Sequence, residues 1–346
     1  MDYSNIFLDG ILCDVDVSFW SGAKALTPDD LGLKESEVAE AFRLGRKMLV
    51  PDEVIREFRH VESRARRVVE VNSFPFPIGN ARFIPKRKFA DVLKELEDLQ
   101  SQYTKLACKL VTEYDELREQ MIPIYRQAAE HAFDMQQPVG VTEFNLEDRE
   151  TQRQEFIEKF LLRIAAYYPP VESLMGKFKL TWNLYNIAAP NMDSVDGHAI
   201  LESEEKRQIA QTEYKRAIQD KMNSFVSDVV STLRQETLEI TNRILTNMKE
   251  GKVVKGNTFN SLQAFIQRFK DLNFVGDTQV EGLLDSLKKE LLDAYPGEVL
   301  KDNVELQGEL KRRLNELADA ASNLTDVNSV TGEYHRKIEW AAKEVE

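Results

Sequence analysis

Apolar and polar residues alternate near the start of the chain. Ile11, Cys13, Val15, Val17 and Phe19 fall on one side of an extended backbone; Leu12, Asp14, Asp16, Ser18 and Trp20 fall on the other. A period of two predicts a β-strand over 11–20 with one dry face, and β-branched and aromatic residues suit that face. The pattern then changes. Thr27, Pro28, Asp29 and Asp30 supply a cap, a first helical proline and two acids for the positive helix end, predicting a short helix. From Pro51 a stripe of Val54, Phe58, Val61, Ala65, Val68 and Val69 predicts a helix to about residue 71. Pro75, Pro77, Gly79 and Pro85 break it, predicting a packed loop with a short strand.

Helical spacing resumes from 86 to about 133 through Phe89, Leu93, Leu96, Tyr103, Leu106, Leu110, Tyr114 and Leu117, with Pro123 expected to kink or split the helix. Phe156, Phe160, Ile164 and Tyr167 share a face of another helix over 149–167. "FKLTWNLYNIA" alternates again and predicts a second strand over 177–188, whose natural partner is strand 11–20. Ile209, Ile218, Met222, Phe225, Val229, Leu233, Ile240 and Ile244 mark the seam of a helix over 200–249, which would be on the order of 75 Å long. Such a seam calls for helix-on-helix or coiled-coil packing. Gly251 and Gly256 end it, and shorter helices are predicted over about 258–272, 277–293, 302–321 and 328–345.

These elements predict a mainly α (α+β) fold: an elongated helical bundle with coiled-coil hairpins and a small antiparallel sheet from residues near 11–20, 72–84 and 177–188. The expected organisation is a mixed α/β region over 1–87, a helical hairpin over 88–176, a strand returning to the sheet over 177–190, and a helical region over 200–346.

Composition adds little to the fold but bears on partners. At 346 residues and 42% hydrophobic, the chain can bury a core without disulfides or metals. Its two cysteines, Cys13 and Cys108, read as small buried thiols. The opening "MDYSNIFLDG" does not read as a signal peptide, and "LTWNLYNIAAPNM" is too short for a membrane span, so a cytoplasmic protein is expected. Net charge is −13, but 56–88 holds nine Lys or Arg against three acids, so this segment is +6 and the remainder −19. An acidic body disfavours wholesale wrapping of nucleic acid. The basic segment still offers a local anionic contact at Arg64, Arg66, Arg67, Arg82, Lys86, Arg87 and Lys88, with Phe74, Phe76 and Phe83 interleaved as in single-strand binders. The competing reading is that these charges simply solvate a helix.

Asp14 and Asp16 point the same way from the first strand. Two carboxylates are too few for a divalent site of their own, so they read as a wet strand face, or as carboxylates offered to a partner's metal. His60, His131, His198 and His335 show no HxxxH spacing. Neither GxSxG nor GxxxxGK[ST] occurs. No catalytic, cofactor or metal residue is therefore assigned, and the expectation is a non-enzymatic protein without cofactor.

The run "VSFWSGAKALTPDDLGL", with "RFIPKRKFADVLKELEDL", "FKLTWNLYNIA" and "LQAFIQRFKDLNFVGDTQVEGLLDSL" later in the chain, resembles an uncharacterised bacterial and phage family of unknown function. The resemblance implies genes often found beside MoxR/CobS-type AAA+ ATPases and von Willebrand A proteins on phages and mobile elements. It implies no activity and no functional residues. The function expected from it is an adaptor, scaffold or client of a AAA+ ATPase and von Willebrand A remodelling complex. A nucleic-acid accessory protein acting through 56–88 and a self-assembling, homo-oligomeric structural protein are the alternatives.

Overall fold

The computed structural model describes residues 6, 8–31, 33, 38, 44–77, 79–135, 146–186, 204–249, 256–296, 299, 303–323, 327 and 329–334. The fold is mainly α with a small antiparallel sheet. In chain order come β1 (Gly10–Ser18), β2 (Ala23–Ala25), a 3-10 turn (Pro28–Leu31), β3 (Arg46–Met48), α1 (Asp52–Val71), β4 (Phe74–Pro75) and β5 (Arg82–Pro85). They are followed by α2 (Lys86–Thr112), α3 (Tyr114–Met135), α4 (Leu146–Ala165), α5 (Val171–Leu174) and β6 (Lys179–Tyr185). Last come α6 (Glu204–Lys249), α7 (Gly256–Leu272), α8 (Thr278–Leu287, continued by a π turn to Leu292) and α9 (Val304–Ser322).

The sheet has strand order β4-β5-β1-β6 and draws on all three segments that alternation or turn chemistry singles out. β1 and β5 pair antiparallel from Gly10↔Pro85 to Cys13↔Arg82, and β4 pairs with β5 through Phe74↔Phe83. A second ribbon, β2 with β3 in the register Ala23↔Met48, is not foreshadowed by alternation because its strands have three residues each.

Burial along β1 follows the expected alternation from Cys13 onward: Cys13, Val15 and Val17 are buried, Asp16 and Ser18 exposed and Asp14 intermediate. Leu12 departs from it. It sits on the face expected to be wet yet is fully buried, because that end of the strand packs into a hydrophobic cluster with Phe83. At the other strand Leu180 is buried, whereas Leu184 and Tyr185 are exposed.

Of the two outcomes expected at Pro123, a kink or a split in the helix over 86–133, the split is corrected. The break falls at Glu113, between α2 and α3, and Pro123 lies inside α3. Glu113 N–H still donates to Lys109 O and Leu117 N–H to Glu113 O. Pro123 is on the exposed side, where the carbonyl it leaves without a donor can turn to solvent. The short helix expected at "LTPDD" is a single 3-10 turn. The long helix spans 46 residues, about 70 Å, with Met222, Phe225, Val229, Leu233 and Ile244 buried as the seam requires. The side chains of Ile209 and Ile218, and most of the helix expected over 328–345, lie outside the described residues.

The chain forms two compact units, each discontinuous in sequence: Met1–Asp14, Val68–Lys94 and Asn183–Glu346 in one, Val15–Arg67 and Glu95–Trp182 in the other. The first has a core of Leu12, Phe74, Phe76 and Phe83 with α6 (Phe225, Val229, Leu233), α7 (Leu262, Ile266, Phe269) and α9 (Leu310, Leu314, Leu317). A buried ion pair ties its helices together. Arg234 of α6 donates from Nε to Asp277 Oδ2 at 2.6 Å and from Nη2 to Oδ1 at 3.1 Å. Its Nη1 donates to the carbonyls of Ala320 and Asn323 at the end of α9. Asp277 in turn caps α8 by accepting from Val280 N–H.

In the second unit Phe58 of α1 packs against Phe19, Tyr103 and Phe178 at ring-centroid distances of 6.1, 5.3 and 4.8 Å. α3 and α4 close on each other through Met121, Tyr125, Ala129, Ile157, Phe160 and Ile164, with Leu49. The "WSG" run builds the approach to this hairpin. Trp20 meets Tyr114 edge-on at 5.9 Å. Gly22 takes φ +59°, a left-handed value that favours glycine, and its carbonyl accepts from Leu49 N–H at 2.7 Å.

Candidate functional site

The seven basic candidates divide between the two units: Arg64, Arg66 and Arg67 in the second, Arg82, Lys86, Arg87 and Lys88 in the first. Several are engaged by the fold. Arg66 pairs with Glu62 one helical turn away at 3.0 Å, and Arg64 donates to Gln102 at 3.2 Å. Arg82 is half-buried and donates to Ser73 Oγ and to the carbonyls of Glu70 and Ser73, where α1 ends. Burial lowers its guanidinium below the usual arginine value. Arg87 donates to Lys270 O, and Lys88 bonds Asp271 at 2.9 Å, so both serve the last turn of α7, where cations complement the helix dipole. Arg67 and Lys86 are exposed.

The interleaved aromatics do not line a surface: Phe74, Phe76 and Phe83 are 4%, 5% and 0% exposed and meet Phe225 and Phe274 edge-to-face in the core. None of them offers a face to a base. The sequence pattern that suggested single-strand binding is therefore the signature of a core under a short sheet.

Asp14 is half-buried and Asp16 exposed, and among the described residues no group of three or more His, Cys, Asp or Glu could hold a metal ion. Cys13 is buried, and burial followed by the Asp14 charge pushes its thiol up to about 11. Cys108, expected to be buried, is exposed. His60 and His131 are exposed, and His198 and His335 lie outside the described residues. No helix among the described residues is long and apolar enough to cross a membrane.

Asp30, expected to serve only as a helix-end charge, anchors the second unit instead. Its Oδ2 accepts from Lys47 Nζ at 2.6 Å and from Thr27 N–H and Oγ1 at 2.8 Å each. Its Oδ1 accepts from Arg163 of α4 at 3.2 Å. Lys47 also sits 4.4 Å over the Tyr167 ring. Burial pushes the Asp30 carboxyl up, but these hydrogen bonds and the Lys47 charge outweigh it and hold the carboxyl below 3.8.

One feature with room for a ligand, among the described residues, is a surface cleft of about 720 Å³ along the α3–α4 hairpin. It lies beside the packed seam. From α3 it takes Asp115, Arg118, Glu119, Ile122 and Tyr125; from α4 and the turn after it, Glu158, Leu161, Leu162, Ile164, Ala165 and Tyr168. On α3 the lining follows i, i+3, i+4, i+7 and i+10, one continuous stripe; on the other wall it runs down α4 from Glu158 to Ala165, with Tyr168 in the turn beyond the helix end. Ile122 and Leu162 are 46% and 71% exposed. Arg118 is already occupied: its guanidinium lies 5.0 Å over the Tyr168 ring and 5.7 Å over Tyr114, and it bonds Asp115 at 3.3 Å. Burial pushes the Tyr168 hydroxyl up to about 12 and also raises that of Tyr125, which donates to Met48 O. Both phenols stay neutral near pH 7.

Sequence reasoning did not single out this cleft. The available signal was an excess of apolar residues: Ile122 and Leu162 lie off the single stripe each helix needs for its partner.

A family model described as "Protein of unknown function (DUF3150)" matches residues 8–139. The match takes in the "WSG…LTPDDL" opening and "RFIPKRKFADVLKELEDL"; the strand β6 and the C-terminal helices lie outside it. No curated protein matches the chain, and no solved structure does.

Proposed function

We propose that the protein is a non-enzymatic adaptor or scaffold that works by binding other proteins, as part of a AAA+ ATPase and von Willebrand A remodelling complex on a phage or mobile element. The observation that carries the protein-binding part is the exposed apolar surface of the α3–α4 hairpin, where Ile122 and Leu162 stand 46% and 71% exposed in one cleft. Clustered apolar exposure on a helical surface favours a macromolecular contact. The choice of partners follows from the family resemblance of the opening motif and its gene neighbours. In this reading ATP hydrolysis belongs to the partner, and Asp14 and Asp16 remain available to complete a metal site on a von Willebrand A domain.

The nucleic-acid reading ranks lower because Arg82, Arg87 and Lys88 spend their donors on carbonyls and on Asp271. Tagged protein isolated from its native host, with mass spectrometry of whatever accompanies it, tests the proposal. Recovery of a AAA+ ATPase with a von Willebrand A protein is the expected result. Recovery of the protein alone under ATP-bound conditions overturns it.

A further inference from the structure

We infer that the α3–α4 cleft is the socket for one helix of a partner protein, an amphipathic helix with an apolar stripe flanked by lysine or arginine. The inference rests on the adaptor reading and assigns it a surface and a partner chemistry.

The shape argues for a helix. Two antiparallel helices that close along one seam leave a groove on either side of it, and a third helix packs into such a groove by ridges into grooves. The α3 stripe runs from Asp115 to Tyr125, and the other wall follows α4 from Glu158 to Ala165 and ends at Tyr168 in the turn beyond it. The ten residues of the α3 wall extend about 15 Å, close to three turns of a docked helix. The floor is apolar where the middle of that helix would lie: Ile122 and Leu162 are exposed, with Leu161 beside them half-buried. This is the helix-in-groove mode, in which residues at i, i+3, i+4 and i+7 of the partner fill the floor.

The charge argues for a cationic flank. The cleft carries three carboxylates, from Asp115, Glu119 and Glu158, against one guanidinium. Arg118 spends its charge on Asp115 and on the faces of Tyr114 and Tyr168. Glu119 and Glu158 are exposed, one on each wall, and neither has an ion pair among the described residues. A helix lying between them meets a carboxylate on both sides of its apolar stripe. Lysine or arginine on its flanks pairs with both, and an acidic flank is repelled by both.

The test uses the full chain and a 14-residue helical peptide of leucine and lysine, with leucine at i, i+3, i+4 and i+7. The control peptide has glutamate in place of every lysine. Binding is read by fluorescence anisotropy at low salt. The lysine peptide should bind at least about tenfold more tightly than the glutamate peptide, and Leu162→Asp or Ile122→Asp should abolish its binding. Both positions are exposed, so these variants should keep the wild-type circular dichroism. The double variant Glu119→Lys, Glu158→Lys should reverse the preference and select the glutamate peptide. Equal binding of both peptides, no binding of either, or a double variant that keeps the wild-type preference overturns the inference. The adaptor reading is scored separately. If native partners co-purify equally well with Leu162→Asp, the reading stands and the socket is elsewhere; if wild-type protein recovers none, the reading itself has failed.

Discussion

Replacing Arg234 with alanine tests whether a buried ion pair joins α6, α8 and α9. Arg234 and Asp277 have side chains 2% and 1% exposed, in contact at 2.6 Å. Alanine would leave the Asp277 carboxylate in the interior with the Val280 N–H, 3.3 Å away, still donating to it. It would also remove the Nη1 donor from the carbonyls of Ala320 and Asn323, at 2.9 and 3.1 Å. Removing one partner of a buried pair costs about 3–5 kcal/mol, and a buried acceptor losing its donor costs about 1–3 kcal/mol. These losses overlap, because the freed carbonyls lie at the end of α9 and can relax towards solvent. We therefore expect about 4–5 kcal/mol. Urea unfolding followed by far-ultraviolet circular dichroism is a suitable assay. With a slope of about 2–3 kcal/mol per molar, the transition of the unit holding α6 should move down by roughly 2 M. The double variant Arg234→Met, Asp277→Ala removes both charges and should recover more than half of the loss. A shift below about 0.5 M for Arg234→Ala, or a double variant less stable than the single one, would refute the reasoning.

Three further outcomes follow from the structure. Asp30→Asn should cost about 3 kcal/mol at pH 7, because Lys47 stays buried without its carboxylate. Since the folded Asp30 carboxyl is held below 3.8, its contribution is complete above the unfolded value and disappears as pH falls through the folded one. The difference in melting temperature between wild type and Asp30→Asn should accordingly narrow below about pH 3.8, and a difference constant from pH 7 to pH 3 would contradict the network. Gly22→Ala should lower stability by about 2 kcal/mol, since φ is +59° and a Cβ would lie 2.8 Å from Val50 Cγ2 and 2.9 Å from Ile55; an unchanged melting temperature would remove the argument. A thiol reagent at pH 8 should modify Cys108 alone in the folded protein and both cysteines in urea, since Cys13 is buried with its thiol pushed up to about 11.

Local pattern carried most of the secondary structure. The alternation of 11–20 and 177–188, the stripes of α1, α4 and α6, and the glycine and proline interruptions each depend on neighbours a few residues apart, so a linear reading reaches them. It also reached the composition of the sheet, because two alternating segments in an otherwise helical chain have few other partners to pair with. What it could not reach depended on residues far apart. Phe74, Phe76 and Phe83 looked available to a nucleic acid until α6 and α7 were seen to bury them. Arg87 and Lys88 looked like a patch until the end of α7, 183 residues on, was seen to take them up. Asp30 became an anchor only because Lys47 and Arg163 converge on it. The α3–α4 cleft is of the same kind: Ile122 and Leu162 are unremarkable in their own helices and form a surface only when the two stripes lie side by side. Periodicity fixes which way a side chain points from its own backbone. What it meets there is set by the rest of the chain.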